Sequence, residues 1–152
     1  LAHGIGAVQL GRRSLGVAEA RALLGATARV GVSCHTTGEV ESACAEGADW
    51  IFAGTIFSTP SHPGVEGRGT EWIASLRAAA GSTPIVAIGG VRPERVASLR
   101  GAGAHGVAAI RGIWDRPDPE RAGREYIEAL DDRAQARGRA HPRRGNGKDG
   151  TQ

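Results

Sequence analysis

Methionine is absent, cysteine occurs twice, and the aromatic residues make up only 4% of 152 residues. Two cysteines, Cys34 and Cys44, do not suggest a disulfide scaffold. They fit a reducing cytosol, so the expected location is cytoplasmic. No apolar run approaches the roughly eighteen residues that cross a bilayer, and no signal peptide opens the chain, so no membrane partner is expected. With so few aromatics, core volume must come from Ala, Val, Ile and Leu. The GxGxxG fingerprint is also missing, which leaves a dinucleotide site without support. The chain begins at Leu1, which points to an unusual start codon or an N-terminus lying upstream.

Net charge is +3 and unevenly spread. Asp131 to Gln152 hold six basic and three acidic residues, while residues 1 to 130 hold thirteen of each. The main body is neutral, and the pI of about 9.5 comes from the last stretch. A nucleic-acid surface is therefore not expected on the folded part. Residues 131–152 lack large apolar side chains and read as a disordered basic tail after one domain at 1–130.

Within that domain short apolar runs alternate with helical spacing. "GAVQL" (6–10), "RVGVS" (29–33), "DWIFAG" (49–54), "PIVAIGG" (84–90) and "GVAAI" (106–110) read as strands. Helices are expected at 16–25, at 37–48 with Thr37 as N-cap, at 70–81 with Thr70 as N-cap, at 92–104 with Pro93 at the start, and at 118–130. The strands are apolar throughout, which predicts burial on both faces of a parallel α/β sheet. Five strand–helix units leave two architectures open, a doubly wound sheet or part of an eight-unit barrel.

Ligands of parallel α/β folds bind where strands end. After the fourth strand comes "GGV" (89–91), and after the fifth "RGIW" (111–114). Glycines there let amides approach an anion, and a following helix start adds positive potential. A phosphate cradle is the reading for Gly89, Gly90, Ile110, Arg111 and Gly112; a plain tight turn is the alternative. "GTIFSTPSHPGVEGRG" (54–69) is too long for a turn and too polar for a core element. Loops of this length are usually functional or disordered. Its Gly64 and Gly67 could add donors. Glu66 and Arg68 could pair with each other or touch a ligand.

"GVSCHT" (31–36), "ADWIFAGTIFSTPSHPGVEGRG" (48–69), "PIVAIGGVRPERV" (84–96) and "GAGAHGVAAIRGIW" (101–114) follow in order. Together they resemble the thiamine phosphate synthase/TenI family over about Gly4 to Leu130. The resemblance implies a (β/α)8 TIM barrel, of which this chain would carry strands 4–8, with three units absent and a truncated sequence expected. A five-unit piece would need self-association or a partner chain to bury its edges.

The resemblance also implies a thiazole phosphate ligand and a place in thiamine biosynthesis. Synthases join a pyrimidine pyrophosphate to the thiazole phosphate with Mg2+. TenI tautomerases isomerise a thiazole carboxylate phosphate and need no cofactor. Ser14 stands where synthases carry a Mg2+-binding Asp, and His62 where they carry a pyrophosphate-binding Lys. "GVEGRG" with Arg68 is closer to the TenI branch. Thr55, however, occupies the position of the tautomerase's catalytic His. Proton transfer needs a titratable group, so His35 and His62 are the catalytic candidates, with Thr55 and Thr59 as ligand contacts. A Cys34–His35 nucleophile pair is disfavoured because adjacent strand residues point to opposite faces. The expected function is TenI-like thiazole phosphate binding. The alternatives are a synthase and a non-catalytic phosphate binder.

Overall fold

The computed structural model describes residues 6–131; all of the expected tail except Asp131 lies outside the described residues. Five strands, β1 (Ala7–Leu10), β2 (Arg29–Cys34), β3 (Trp50–Ala53), β4 (Ile85–Ile88) and β5 (Gly106–Ala108), pair in parallel in that order. The helices between them are α1 (Val17–Leu24), α2 (Thr37–Ala45), α3 (Gly69–Ala80) and α4 (Val96–Gly101), the last preceded by a 3₁₀ turn at Pro93–Arg95. After β5 come a single turn, α5 (Arg111–Trp114), and α6 (Pro119–Leu130). Consecutive parallel neighbours, each reached through a helix, make this the open arc of a (β/α)8 barrel rather than a doubly wound sheet, whose strand order reverses.

Register explains the core. Val32 pairs with Ile51 and Ile51 with Ile85, while Cys34 pairs with Ala53 and Ala53 with Ala87. Ile51, Ile85, Cys34, Ala53 and Ala87 are wholly buried with helix residues Val40, Ile73, Leu76, Val96 and Leu99. The other face carries Gln9, Ser33, Trp50, Phe52, Val86 and Ile88, none of them buried. The expectation of burial on both faces thus fails. The five strands do not close, so among the described residues no opposite strand covers that side. Polar contacts partly occupy it: Trp50 Nε1 donates to Gln9 Oε1 at 2.8 Å, and Gln9 Nε2 to Ser33 Oγ at 3.1 Å. The Trp50 ring lies across Gly31, where a Cβ would meet it at 2.1 Å.

Two caps differ from the sequence reading. Thr36, not Thr37, caps α2: it is extended, and its Oγ1 accepts from Glu39 N at 3.1 Å. The Glu39 carboxylate also accepts from His35 N, the residue just before the cap. Thr70 lies inside α3, which starts at Gly69 behind Arg68 without a side-chain cap. The fifth strand ends at Ala108, short of Ile110, because the chain turns there into α5.

Candidate functional site

The ends of β4 and β5 and the 54–69 loop enclose a cleft of about 100 Å³. Thr59, Ser61 and His62 line it from the loop, Gly89 and Gly90 from the end of β4, and Ile110, Arg111 and Gly112 from the start of α5. Backbone bonds hold the loop base in place. Ile56 N donates to Ile88 O at 3.0 Å and Phe57 N to Gly89 O at 2.9 Å, while Arg68 N and Gly69 N return to Thr55 O and Ile56 O. A turn from Thr59 to His62 (N–H to C=O, 3.0 Å) then folds the loop tip so that His62 lines the cleft.

The glycines are required by close packing. Gly90 has φ of +59°, and a Cβ there would lie 2.6 Å from the carbonyl oxygens of Phe57 and Ser58. Gly89 has φ of +98° and faces the Thr55 side chain. Gly112 leaves room for Tyr126, whose hydroxyl donates to Val91 O at 2.7 Å and would meet a Cβ at 2.1 Å. Burial raises the Tyr126 phenol above its ordinary pKa. Among the described residues, the amides of Gly89 and Gly90 donate to no protein acceptor. Those of Arg111 and Gly112 open α5 and have no partner within the helix. The cleft thus presents several backbone donors together with the side chains of His62 and Arg111. Such a set suits an anionic oxygen group.

The other expected contacts lie elsewhere. Gly64 and Glu66 line a shallow hollow on the outer side of the loop, which His62 also borders. Gly67 packs on the Phe57 backbone, where a Cβ would come within 2.5 Å, so its lack of a side chain serves loop packing. Arg68 does not pair with Glu66. Its guanidinium sits 4.3 Å from the Trp72 ring centre and donates to His35 O. Thr55 packs on Gly89 rather than lining the cleft. His35 borders a separate hollow at the ends of β1 and β2, with Arg12, Ser14 and Glu39. Its Nδ1 lies 3.3 Å from Gly54 O. Cys34 faces the helices, and burial, with Glu39 and Cys44 adding, pushes its thiol up to about 12. It stays protonated, and a Cys–His pair is not formed.

Ser61 and Ala109 also line the cleft and were not singled out from sequence. The hydroxyl of Ser61 beside His62 was the available signal. Ser14 Oγ accepts from Gly11 N at 2.9 Å and closes the turn after β1. Among the described residues no group of three or more His, Cys, Asp or Glu gathers as a metal site. Ser14, where the resemblance places a Mg2+-binding carboxylate, offers only a hydroxyl, and that hydroxyl already accepts from Gly11 N. No described helix is long and apolar enough to cross a membrane.

Comparison with known proteins gives this geometry a family. The chain is 42% identical over 131 residues to the thiamine biosynthesis bifunctional protein ThiM/ThiE of Symbiobacterium thermophilum, covering 86% of this chain and 27% of that one. It is 38% identical over 120 residues to the thiamine-phosphate synthase of Thioalkalivibrio sulfidiphilus, covering 78% and 55%. The chain thus spans about a quarter to a half of the length of these two relatives. Its fold matches the thiamine phosphate pyrophosphorylase of Pyrococcus furiosus with a TM-score of 0.73 at 24% identity, over 84% of this chain and 60% of that one. A family model described as thiamine monophosphate synthase matches residues 1–113. The chain belongs to the thiamine monophosphate synthase family.

Proposed function

We propose that the chain binds a thiazole phosphate in thiamine biosynthesis, with the phosphate held between the Gly89–Gly90 turn and the Ile110–Gly112 segment. The observation that carries this reading is the set of unpartnered amides at two successive strand ends, with His62 and Arg111 beside them. Amide donors in a concave backbone cradle favour an anion without fixing its shape, which suits a phosphate monoester.

The finer reading is TenI-like. With the ester anchored at β4 and β5, the thiazole ring extends over the sheet toward the end of β3. A tautomerisation removes a proton from one atom of that ring and returns one to another. His35 is the titratable group beside the end of β3, its Nδ1 facing Gly54 O. A neutral ring that donates from Nδ1 keeps Nε2 free to accept a proton. The synthase reading is favoured by a different observation, the names of the relatives above.

The test is thiazole phosphate binding by calorimetry, with Gly90→Ala as the variant. A Cβ against the Phe57 and Ser58 carbonyls moves the turn, so affinity should fall at least about tenfold, roughly 1.4 kcal/mol. Unchanged affinity would remove the cradle from the site. Metal-free isomerisation of the thiazole carboxylate phosphate would then establish the tautomerase. Mg2+-dependent formation of thiamine phosphate from the pyrimidine pyrophosphate would establish the synthase. Binding with neither activity would leave a non-catalytic binder.

A further inference from the structure

Six large apolar side chains are exposed among the described residues, and their placement is uneven. Leu15 and Leu23 belong to the β1–α1 unit, and Ile110, Trp114 and Ile127 to the unit that follows β5. The three units between them contribute only Val65, near the tip of the 54–69 loop. Helix geometry accounts for two of these positions. Arg21 reaches toward β2 and β3 through Ala28 O, Gly47 O and Asp49. Leu23, two residues on, lies about 200° around α1 and faces the other way. Tyr126 reaches Val91 O, just beyond β4, and Ile127 is turned about 100° from it around α6. Exposed apolar side chains beside an unpaired strand mark a surface that pairs with another chain.

Charge divides the same way. Residues 6–29 hold four basic residues and one acidic, whereas residues 106–131 hold four basic and six acidic. Arg12 and Arg13 stand exposed just after β1, and Glu120 and Glu128 stand exposed along α6. The two edges are thus alike in apolar surface and opposite in charge. We propose that they bind one another between two copies of this chain, β5 of each copy beside β1 of the other. A two-fold axis along the strands makes both joints at once and keeps every strand parallel to its new neighbour. Pairing β1 with β1, or β5 with β5, sets like charge against like and leaves the other edge of each copy open. In the head-to-tail pair the half-open faces, with Trp50, Phe52, Val86 and Ile88, also turn toward each other. The joints are short strand edges, so the pair forms and dissociates with concentration.

The experiment is sedimentation velocity of the 152-residue chain over a concentration series, with amide hydrogen exchange at the two ends of that series. The expected result is one reversible step from 15.7 kDa to twice that mass. Exchange in β1 and β5 should be fast in the dilute monomer and slow at high concentration. Arg12→Glu with Arg13→Glu puts acid against acid at both joints, and Glu120→Lys with Glu128→Lys puts base against base. Each pair of changes should raise the dissociation constant at least about tenfold. An equimolar mixture of the two variants should associate near the parent's constant, because both joints then regain opposite charges. A parent chain that stays monomeric throughout would overturn the proposal, whatever covers its edges. A dimer indifferent to the α6 changes would overturn the head-to-tail joint, and so would a mixture that associates no better than its components. All four side chains are exposed, so the changes leave the core untouched.

Discussion

At the scale of single residues, one carboxylate away from the cleft joins three elements. Asp49 precedes β3 and receives Val30 N at 2.7 Å and Arg21 Nη2 at 2.7 Å. Arg21 also donates to Ala28 O and Gly47 O, so this pair ties α1 to the starts of β2 and β3. Burial alone would raise the Asp49 carboxyl. The Val30 amide and Arg21 outweigh it and hold the group below the usual carboxylate range. A carboxyl depressed on folding contributes stability that is present above its unfolded value, near 3.9, and is lost as pH falls through the folded value. Asp49→Ala leaves the Val30 amide and Arg21 without their acceptor, and should cost about 1–3 kcal/mol in denaturant unfolding at pH 7. The difference from the parent should shrink below about pH 4 as the parent's own carboxyl protonates. An unchanged midpoint at pH 7 would show that water satisfies these donors.

At the scale of elements, start signals and turns decide the architecture. Thr36→Ala removes the acceptor for Glu39 N and should lower stability by about 1 kcal/mol, read from the urea midpoint. Thr37→Ala should leave the midpoint nearly unchanged, which separates the two caps. All five strands were legible in the sequence because each is a short apolar run set off by polar, Gly or Pro residues. The caps were not, since "HTTGE" offers two adjacent threonines and only the extended backbone of Thr36, with its Oγ1 on Glu39 N, chooses between them. The Gly89–Gly90 turn and the Arg111 segment were legible as neighbours at one end of the sheet because both follow strands. The roles of Gly67 and Gly112 were not. Each gives space to a group distant in sequence, Phe57 in one case and Tyr126 in the other. Local pattern cannot show that.

At the scale of the whole molecule, the sheet is uneven across its width. β2, β3 and β4 are paired on both sides, whereas β1 and β5 each have one neighbour among the described residues. Native-state hydrogen exchange should therefore be slowest at amides of the central strands, such as Ile51 and Ala53, and faster by several orders of magnitude in β1. Uniform protection from β1 to β5 would mean that both edges are covered in solution, by another chain or by residues outside 6–131. The half-open face with Trp50, Phe52, Val86 and Ile88 is the part of the fold that the sequence misrepresented. Apolar strands signal where a barrel's interior lies, and they do so whether or not the strands present suffice to close it.

The loop joining β3 to α3 has a fixed base and an unattached tip. Phe57 is the pin: its backbone is bonded to Gly89 O, Gly67 and Gly90 press against it, and the Arg95 guanidinium lies 4.1 Å from its ring centre. Residues 58–66 between these anchors are exposed apart from half-buried Thr59, and contribute little to the core. The segment is therefore a natural exchange cassette. Tips of other sequence and length could be grafted between Phe57 and Gly67 to reshape the cleft, while the strand ends that line it stay as they are.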